Sequence, residues 1–468
     1  MALKFASGVE GFRARFAGEI LVPGDQAYDD ARSVWNGDID RYPAVIARCS
    51  TADEVAAAIE FGRHEGLEIS VRGGGHSFAG FSVCDGGLMI NLSEMRQVTV
   101  DPGGRRARCG GGATWADVDT ATQPHGVAVP GGIVSHTGIA GLTLGGGMGW
   151  LTRRAGLSCD NLASAEVVTA DGRILTASAE ENGDLFWAIR GGGGNFGVVT
   201  SFEYRLHEAG PLAHLGLFFW GLEEGAEALR CIRDFVRALP EDMGTILAGM
   251  SAPPEPFVPE RYHFVPGYAL MVVGWGSAEE HERVVKPIRA ALAPRFELVT
   301  PIPHTELQKM FDQAYQWGIL GYEKGLYLDD LTDEAIAVVT EHMPRVSSPL
   351  SFVPILPLGG AYLRVGDDET AFGGSRTPGF AFNIAAASPS PEVLETDRAW
   401  VRSFWEALRP HAQGSGSYVN FMSEHDDNRV RASYGPSKYE RLGRIKAAYD
   451  PDNIFHLNAN IKPALLPA

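Results

Sequence analysis

The chemistry in this chain is concentrated where glycine is. Arg72-Gly-Gly-Gly-His76-Ser77 follows a short strand, and three glycines there let backbone amides converge on an anion such as a pyrophosphate, with a histidine beside it. Two further segments are equally rich in bare backbone: Gly131 to Gly149, which holds Ser135, His136, Thr137, Gly138 and Gly141, and Gly191 to Val199. None opens a helix within a βαβ unit carrying an acidic residue about 20 positions on, so a Rossmann turn is a poor reading, and no Gly-Lys-Ser/Thr loop occurs. The arrangement fits a large cofactor lying extended along several glycine-lined edges. Near the C-terminus, Tyr418-Val-Asn420 and Asn458-Ala-Asn460 carry a phenol and three amides. A phenol titrates near pH ~10, so Tyr418 needs a cation or hydrogen-bond donors to ionise; Tyr322, Lys324, Tyr327 and Arg364 are the candidates. As a plain strand residue, Tyr418 would simply be packing.

These residues need a scaffold. Thr51-Ala-Asp-Glu54 reads as a capping box opening a helix that Gly66 closes, and Leu67 to Val71 is the strand that delivers Arg72. Strands follow at Leu88–Leu92, at 97–100 with 105–109, at 165–170 with 174–177 around Asp171-Gly172, and at 198–205. After about residue 210, apolar strands at 215–220, 245–250 and 268–275 alternate with amphipathic helices at about 225–239 and 278–293, a sheet backed by helices. A helix spans about Pro391 to Leu408, and Gly414-Ser-Gly-Ser417 crosses back toward the first block. Tyr449-Asp-Pro-Asp-Asn453 is a turn before one last strand, in a tail that runs to Pro467. The reading is α+β in two domains. Residues 1–205 form the first, 206–413 the second, and 414–468 return to the first domain.

Composition agrees with a globular enzyme. The 468 residues exceed what one core usually serves, and 57 glycines are about one residue in eight, against about 7 % on average. A formal net charge of −18 argues against nucleic acid and anionic membranes. Met1 to Ile20 lacks the apolar core of a signal, and no run approaches the ~20 apolar residues of a membrane span. Five scattered cysteines form neither a disulfide framework nor a zinc pattern, so no metal is expected and a reducing cytoplasm fits best.

Arg72 to Gly80, Gly138 to Asn161 and Gly191 to Val199 resemble the FAD domain of the vanillyl-alcohol oxidase/p-cresol methylhydroxylase superfamily. Tyr418–Asn420 through Tyr449–Asn453 to Asn458–Asn460 is similar to its berberine-bridge-enzyme branch. The resemblance implies that Arg72, Gly73, Gly74, Gly75, His76 and Ser77 wrap the pyrophosphate of FAD, and that His76 bonds to the flavin 8α carbon. It implies that Ser135, Thr137, Gly138 and Gly141 hold the ribityl–phosphate stretch and Val199 the adenine end. Asn420, Asn458 and Asn460 would approach the ring, with Tyr418 over its reactive face as the catalytic residue. Many relatives have a second tether, a cysteine that aligns here with Val134, which cannot form the bond; Cys159 reads as a small buried residue. A single attachment is expected. His136 is a satisfied histidine or a ligand-facing one, and Trp317, Tyr322, Tyr327 and Phe352 are pocket or core. The implied activity is an oxidase that moves hydride from a small organic substrate (an alcohol, amine or secondary metabolite) to FAD and reduces molecular oxygen to hydrogen peroxide. A dehydrogenase using another acceptor and an inactive binding protein are the alternatives. A monomer or homodimer is expected.

Overall fold

The computed structural model describes residues 2–412, 414 and 416–465. Ser415 of the crossing segment and the Pro467 end of the tail lie outside the described residues, as do Met1, Gln413, Leu466 and Ala468.

Two sheets make the first block. In the smaller, Val45–Arg48, Leu88–Asn91 and Ile69–Arg72 run parallel in that order, with Glu19–Leu21 antiparallel at one edge. The helix Ala52–Glu65 connects the two outer parallel strands. Its capping box is formed, Thr51 accepting from the Glu54 amide, and Gly66 ends it at φ 65°. That crossover places Ile69–Arg72 at a sheet edge, where the chain leaves as the first glycine loop. The second sheet is antiparallel, Val98–Asp101, Arg106–Gly110, Val198–Arg205, Leu162–Val168 and Ile174–Ser178. Its hairpin after Val168 is one residue longer than a two-residue turn, because the Thr169 amide still pairs with the Arg173 carbonyl.

The middle region is one seven-stranded antiparallel sheet, ordered Phe296–Pro303, Leu212–Gly221, Pro266–Gly274, Gly244–Ser251, Val353–Leu358, Gly379–Ser388, Leu320–Leu328. Strand side chains alternate between faces. Phe218, Leu270, Phe382, Tyr322 and Leu326 point into a core made with the helices Gly225–Ala238, Ala278–Ala291, Asp333–His342 and Pro391–Leu408. The opposite face packs Leu217, Ala248, Met271 and Phe352 against Trp35, Val134 and Trp150 of the first block.

The tail differs from its sequence reading. Tyr418 precedes a single 3₁₀ turn, Val419–Phe421, and does not lie in a strand. Asp427–Tyr449 is helical and kinked at Gly435, φ 72°, before Pro436. Its Val430, Tyr434, Leu442 and Ile445 pack on the core beside the five-stranded sheet. Among the described residues no strand follows Asn453. The Asp450 carboxylate accepts the amides of Ile454 and Phe455 at 2.9 Å each, so those donors are spent on a side chain rather than on a ladder. Among the described residues no helix is long and apolar enough to cross a membrane.

Candidate functional site

The glycine loops meet. A Cβ on Gly74 would stand 2.3 Å from the Gly138 Cα, and one on Gly138 2.4 Å from the Gly74 nitrogen, so two backbones touch where any side chain would part them. The third loop is tied to the tail: Asn195 Nδ2 donates to the Ala459 carbonyl at 3.1 Å, and its Oδ1 accepts the Ile461 amide at 2.9 Å. Between these loops and the open face of the seven-stranded sheet lies a cavity of about 350 Å³.

Of the residues singled out in the sequence, Gly73, Gly74, Gly75, His76, Ser77, Thr137, Gly138, Gly141, Val199, Tyr418, Asn420 and Asn458 line this cavity. Arg72, Ser135 and Asn460 sit beside it. The Arg72 guanidinium donates to the Ala31 carbonyl at 3.1 Å and reaches the Trp317 ring, while its buried Nε has no partner. Ser135 commits both its amide and its hydroxyl to Asp312, at 2.9 and 2.5 Å. Asn458 and Asn460 each hold a buried side-chain oxygen without a partner.

The Tyr418 hydroxyl is buried and accepts two hydrogen bonds, from the Gly147 amide at 2.6 Å and from Asn420 Nδ2 at 2.9 Å. Burial pushes this phenol up, and both donors oppose that by favouring the phenolate. The partners expected from sequence lie elsewhere. Tyr322 and Lys324 are on the helix side of their strand and both bond Glu424, at 2.8 and 3.0 Å. Arg364 pairs with Glu241 at the surface. Tyr327 is buried in the cluster that contains Tyr418, its hydroxyl unpartnered.

The strand's other face supplies what the sequence reading missed. Glu323, 1 % exposed, lines the cavity. One oxygen accepts from Asn383 Nδ2 at 2.7 Å, and the other has no partner. Burial pushes its carboxyl up to about 8, although Asn383 pulls the other way. The available signal was Gly321-Tyr-Glu-Lys-Gly325: taken alternately, it separates Glu323, between two glycines, from the Tyr322–Lys324 face. Around Glu323 the walls are apolar, from Tyr315, Phe352, Pro354 and Leu356.

His76 stands at the cavity with its ring stacked on Trp35, centroids 4.6 Å apart, and its Nε2 2.9 Å from His136 Nδ1. Val134 lines the cavity, whereas Cys159 is buried outside the lining, against Asp160.

Comparison with known proteins agrees with this geometry. Residues 43–178 match the FAD binding domain family, and residues 417–462 match the berberine and berberine-like family. Along 95 % of its length the chain is 30 % identical to (R)-6-hydroxynicotine oxidase of Paenarthrobacter nicotinovorans, 97 % of which it covers. The chain belongs to the berberine-like FAD-linked oxidoreductases. Its structure superposes on 6-hydroxy-D-nicotine oxidase from Arthrobacter nicotinovorans with a TM-score of 0.84 at 27 % identity, covering 96 % of this chain and 98 % of that one. It superposes on glucooligosaccharide oxidase from Acremonium strictum, described with a 6-S-cysteinyl, 8α-N1-histidyl FAD, with a TM-score of 0.83 at 24 % identity, covering 98 % and 100 %. The fold is the two-domain α+β fold of these FAD-linked oxidases.

The cavity of this FAD-linked oxidoreductase suits the cofactor. Gly141 and Gly194 both line it, and where a Cβ would stand on either there is no protein atom within 4 Å apart from the adjoining chain, so bare backbone faces open space. The unpartnered Arg72 Nε and the Asn458 and Asn460 oxygens supply a donor and acceptors around it.

Proposed function

We propose that the chain is an oxidase whose FAD is held covalently through His76 as a single tether, and that it takes two electrons from a small organic alcohol, amine or related metabolite. Bound there, FAD would accept hydride and pass both electrons to dioxygen, giving hydrogen peroxide. The observation that carries this reading is the convergence of the glycine loops, His76, Tyr418 and Glu323 on one cavity.

In this reading the backbone amides from Arg72 to Ser77 take the pyrophosphate, and Thr137, Gly138 and Gly141 face them. Ser135 serves at one remove by gripping Asp312. Val199 lends backbone at the adenine end, and Asn420, Asn458 and Asn460 turn amides toward the ring. Residues 1–205 and 414–468 hold the cofactor, and 206–413 hold the substrate. The division is supported by the tail helix sharing a core with the five-stranded sheet. The single tether is supported by Val134 in the cavity wall and by the position of Cys159 outside it. The apolar walls favour a substrate with few polar groups, one of them meeting Glu323. A cytoplasmic setting is supported by the five free cysteines.

Tyr418 assists proton removal as hydride leaves, its two hydrogen-bond donors steadying the negative charge. A second reading assigns the proton to Glu323, favoured by its unpartnered oxygen in the cavity and its raised carboxyl. Stopped-flow reduction without oxygen, after a screen of alcohols, amines and phenolic metabolites, separates them. Tyr418→Phe should slow reduction by about 10²–10⁴-fold, with little change in apparent affinity. A Phe variant reduced at the wild-type rate would transfer the role to Glu323. Reduced enzyme that stays reduced in air would contradict the oxidase reading.

A further inference from the structure

Glu323 and Asn383 form one hydrogen-bonded pair across adjacent strands. Asn383 stands opposite Gly325 in the register of Leu320–Leu328 with Gly379–Ser388, and with no side chain on Gly325 it leans along the sheet to Glu323. Its Nδ2 donates to Glu323 Oε2 at 2.7 Å. That bond leaves Glu323 Oε1 and Asn383 Oδ1, two buried acceptors without partners, on residues that both line the cavity. A buried acceptor left alone is costly, so two on one pair call for a ligand that donates twice. Charge points the same way. Among the described residues lining the cavity Glu323 is the only acid, and no lysine or arginine occurs. The histidines His76 and His425 are held neutral there, chiefly by burial. Tyr315 and Phe352 meet edge to face at 6.2 Å, and burial, then the Glu323 charge, pushes the Tyr315 phenol up. A lone acid against aromatic faces favours a cation.

We propose that this site takes a primary or secondary amine with an apolar body, bound as its ammonium ion, with two N–H groups donated to Glu323 Oε1 and Asn383 Oδ1. The proposal rests on the reading of the cavity as that of an oxidase and narrows its substrate class. Until a cation arrives a proton takes its place, because burial pushes the Glu323 carboxyl up to about 8, although Asn383 pulls the other way. An alcohol would leave that proton on Glu323 and make two neutral hydrogen bonds. An amine, titrating near pH ~10, takes the positive charge itself, and both bonds become charge-assisted and roughly twice as strong. A tertiary ammonium ion has one N–H and leaves one acceptor alone. On oxidation one N–H proton leaves to the base, the C–H bond beside the nitrogen breaks with its electron pair passing to FAD, and a C=N bond forms. Water then splits the iminium ion into a carbonyl compound and the free ammonium ion. Dioxygen takes the two electrons, with two protons, as hydrogen peroxide.

Amines with no hydrogen on the carbon beside nitrogen bind without turnover, which separates recognition from oxidation. Cumylamine, N-methylcumylamine, N,N-dimethylcumylamine and cumyl alcohol, with the smaller tert-butyl series, are titrated into the holoenzyme by isothermal titration calorimetry. The primary and secondary amines should bind at least about tenfold more tightly than the tertiary amine and the alcohol. Glu323→Gln should weaken the amines by about 10²-fold and the alcohol little, and Asn383→Leu should bind secondary and tertiary amines alike. An alcohol bound as tightly as its matching primary amine overturns the proposal, as does a tertiary amine bound as tightly as the secondary one, or no binding in either series. These wild-type comparisons decide even if a variant fails to fold. Flavin bleaching without oxygen keeps the two readings apart. Benzylamine and N-methylbenzylamine should bleach it. If the cumyl amines bind as expected but no benzyl amine bleaches the flavin, the oxidase reading falls and the ammonium site stands. If benzyl alcohol bleaches it and the benzyl amines do not, the oxidase reading stands and the proposal falls.

Discussion

Glu323 is held in a place that suits a protonated acid. The folded protein keeps a proton there that the unfolded chain gives up above its ordinary 4.5, so its carboxyl, raised to about 8, makes stability fall as pH rises from about 4.5 to 8. Below 4.5 both states hold the proton and there is no loss. At pH 7 the loss is roughly 3 kcal/mol, from about 1.4 kcal/mol per pH unit of separation. Glu323→Gln keeps an acceptor for Asn383 and removes the titration. Its urea midpoint should exceed that of wild type at pH 7 by an amount equivalent to roughly 3 kcal/mol, and the advantage should shrink toward pH 5. The same variant should reduce its flavin more slowly. A residue that weakens the fold and speeds the reaction belongs to the site, whereas flavin reduction at the wild-type rate in the Gln variant would make Glu323 an ordinary buried acid.

At the scale of elements, the tail is clamped by a buried ion pair. Lys446 and Asp450 have no exposed side-chain surface. The Lys446 Nζ donates to Asp450 at 2.5 Å and to the carbonyls of Asn195 and Phe455 at 2.7 and 3.0 Å, which joins the helix Asp427–Tyr449 to the third glycine loop. Removing one partner strands a buried charge, so Asp450→Ala should cost about 3–5 kcal/mol in urea unfolding. A loss under 1 kcal/mol would mean that the clamp is not what holds the tail. These contacts also explain how far the sequence could be read. The capping box at Thr51, the strand into Arg72 and the sheet backed by helices were legible because period and caps agree with burial there. Asp427–Tyr449 was not, because its apolar residues are dispersed among charges and Gly435-Pro436 interrupts it. The final strand was a misreading of residues that Asp450 had already satisfied. Glu323 escaped because Tyr322 and Lys324, its strand neighbours, look more reactive and point to the opposite face.

At the scale of the whole molecule, the cavity is walled from both sides of a seam, by glycine loops from the first block, Tyr418 and Asn458 from the tail, and Glu323 and Phe352 from the middle sheet. Trp35, Asp312 and Tyr315 stitch that seam next to His76. A tether at this point would hold the cofactor where all three parts of the chain meet, which makes the His76 bond the claim on which the rest depends. Peptide mapping of denatured wild-type protein by mass spectrometry tests it directly. The peptide containing His76 should carry the full mass of FAD, and every cysteine peptide, including that of Cys159, should be unmodified. An unmodified His76 peptide, or flavin found on Cys159, would contradict the account.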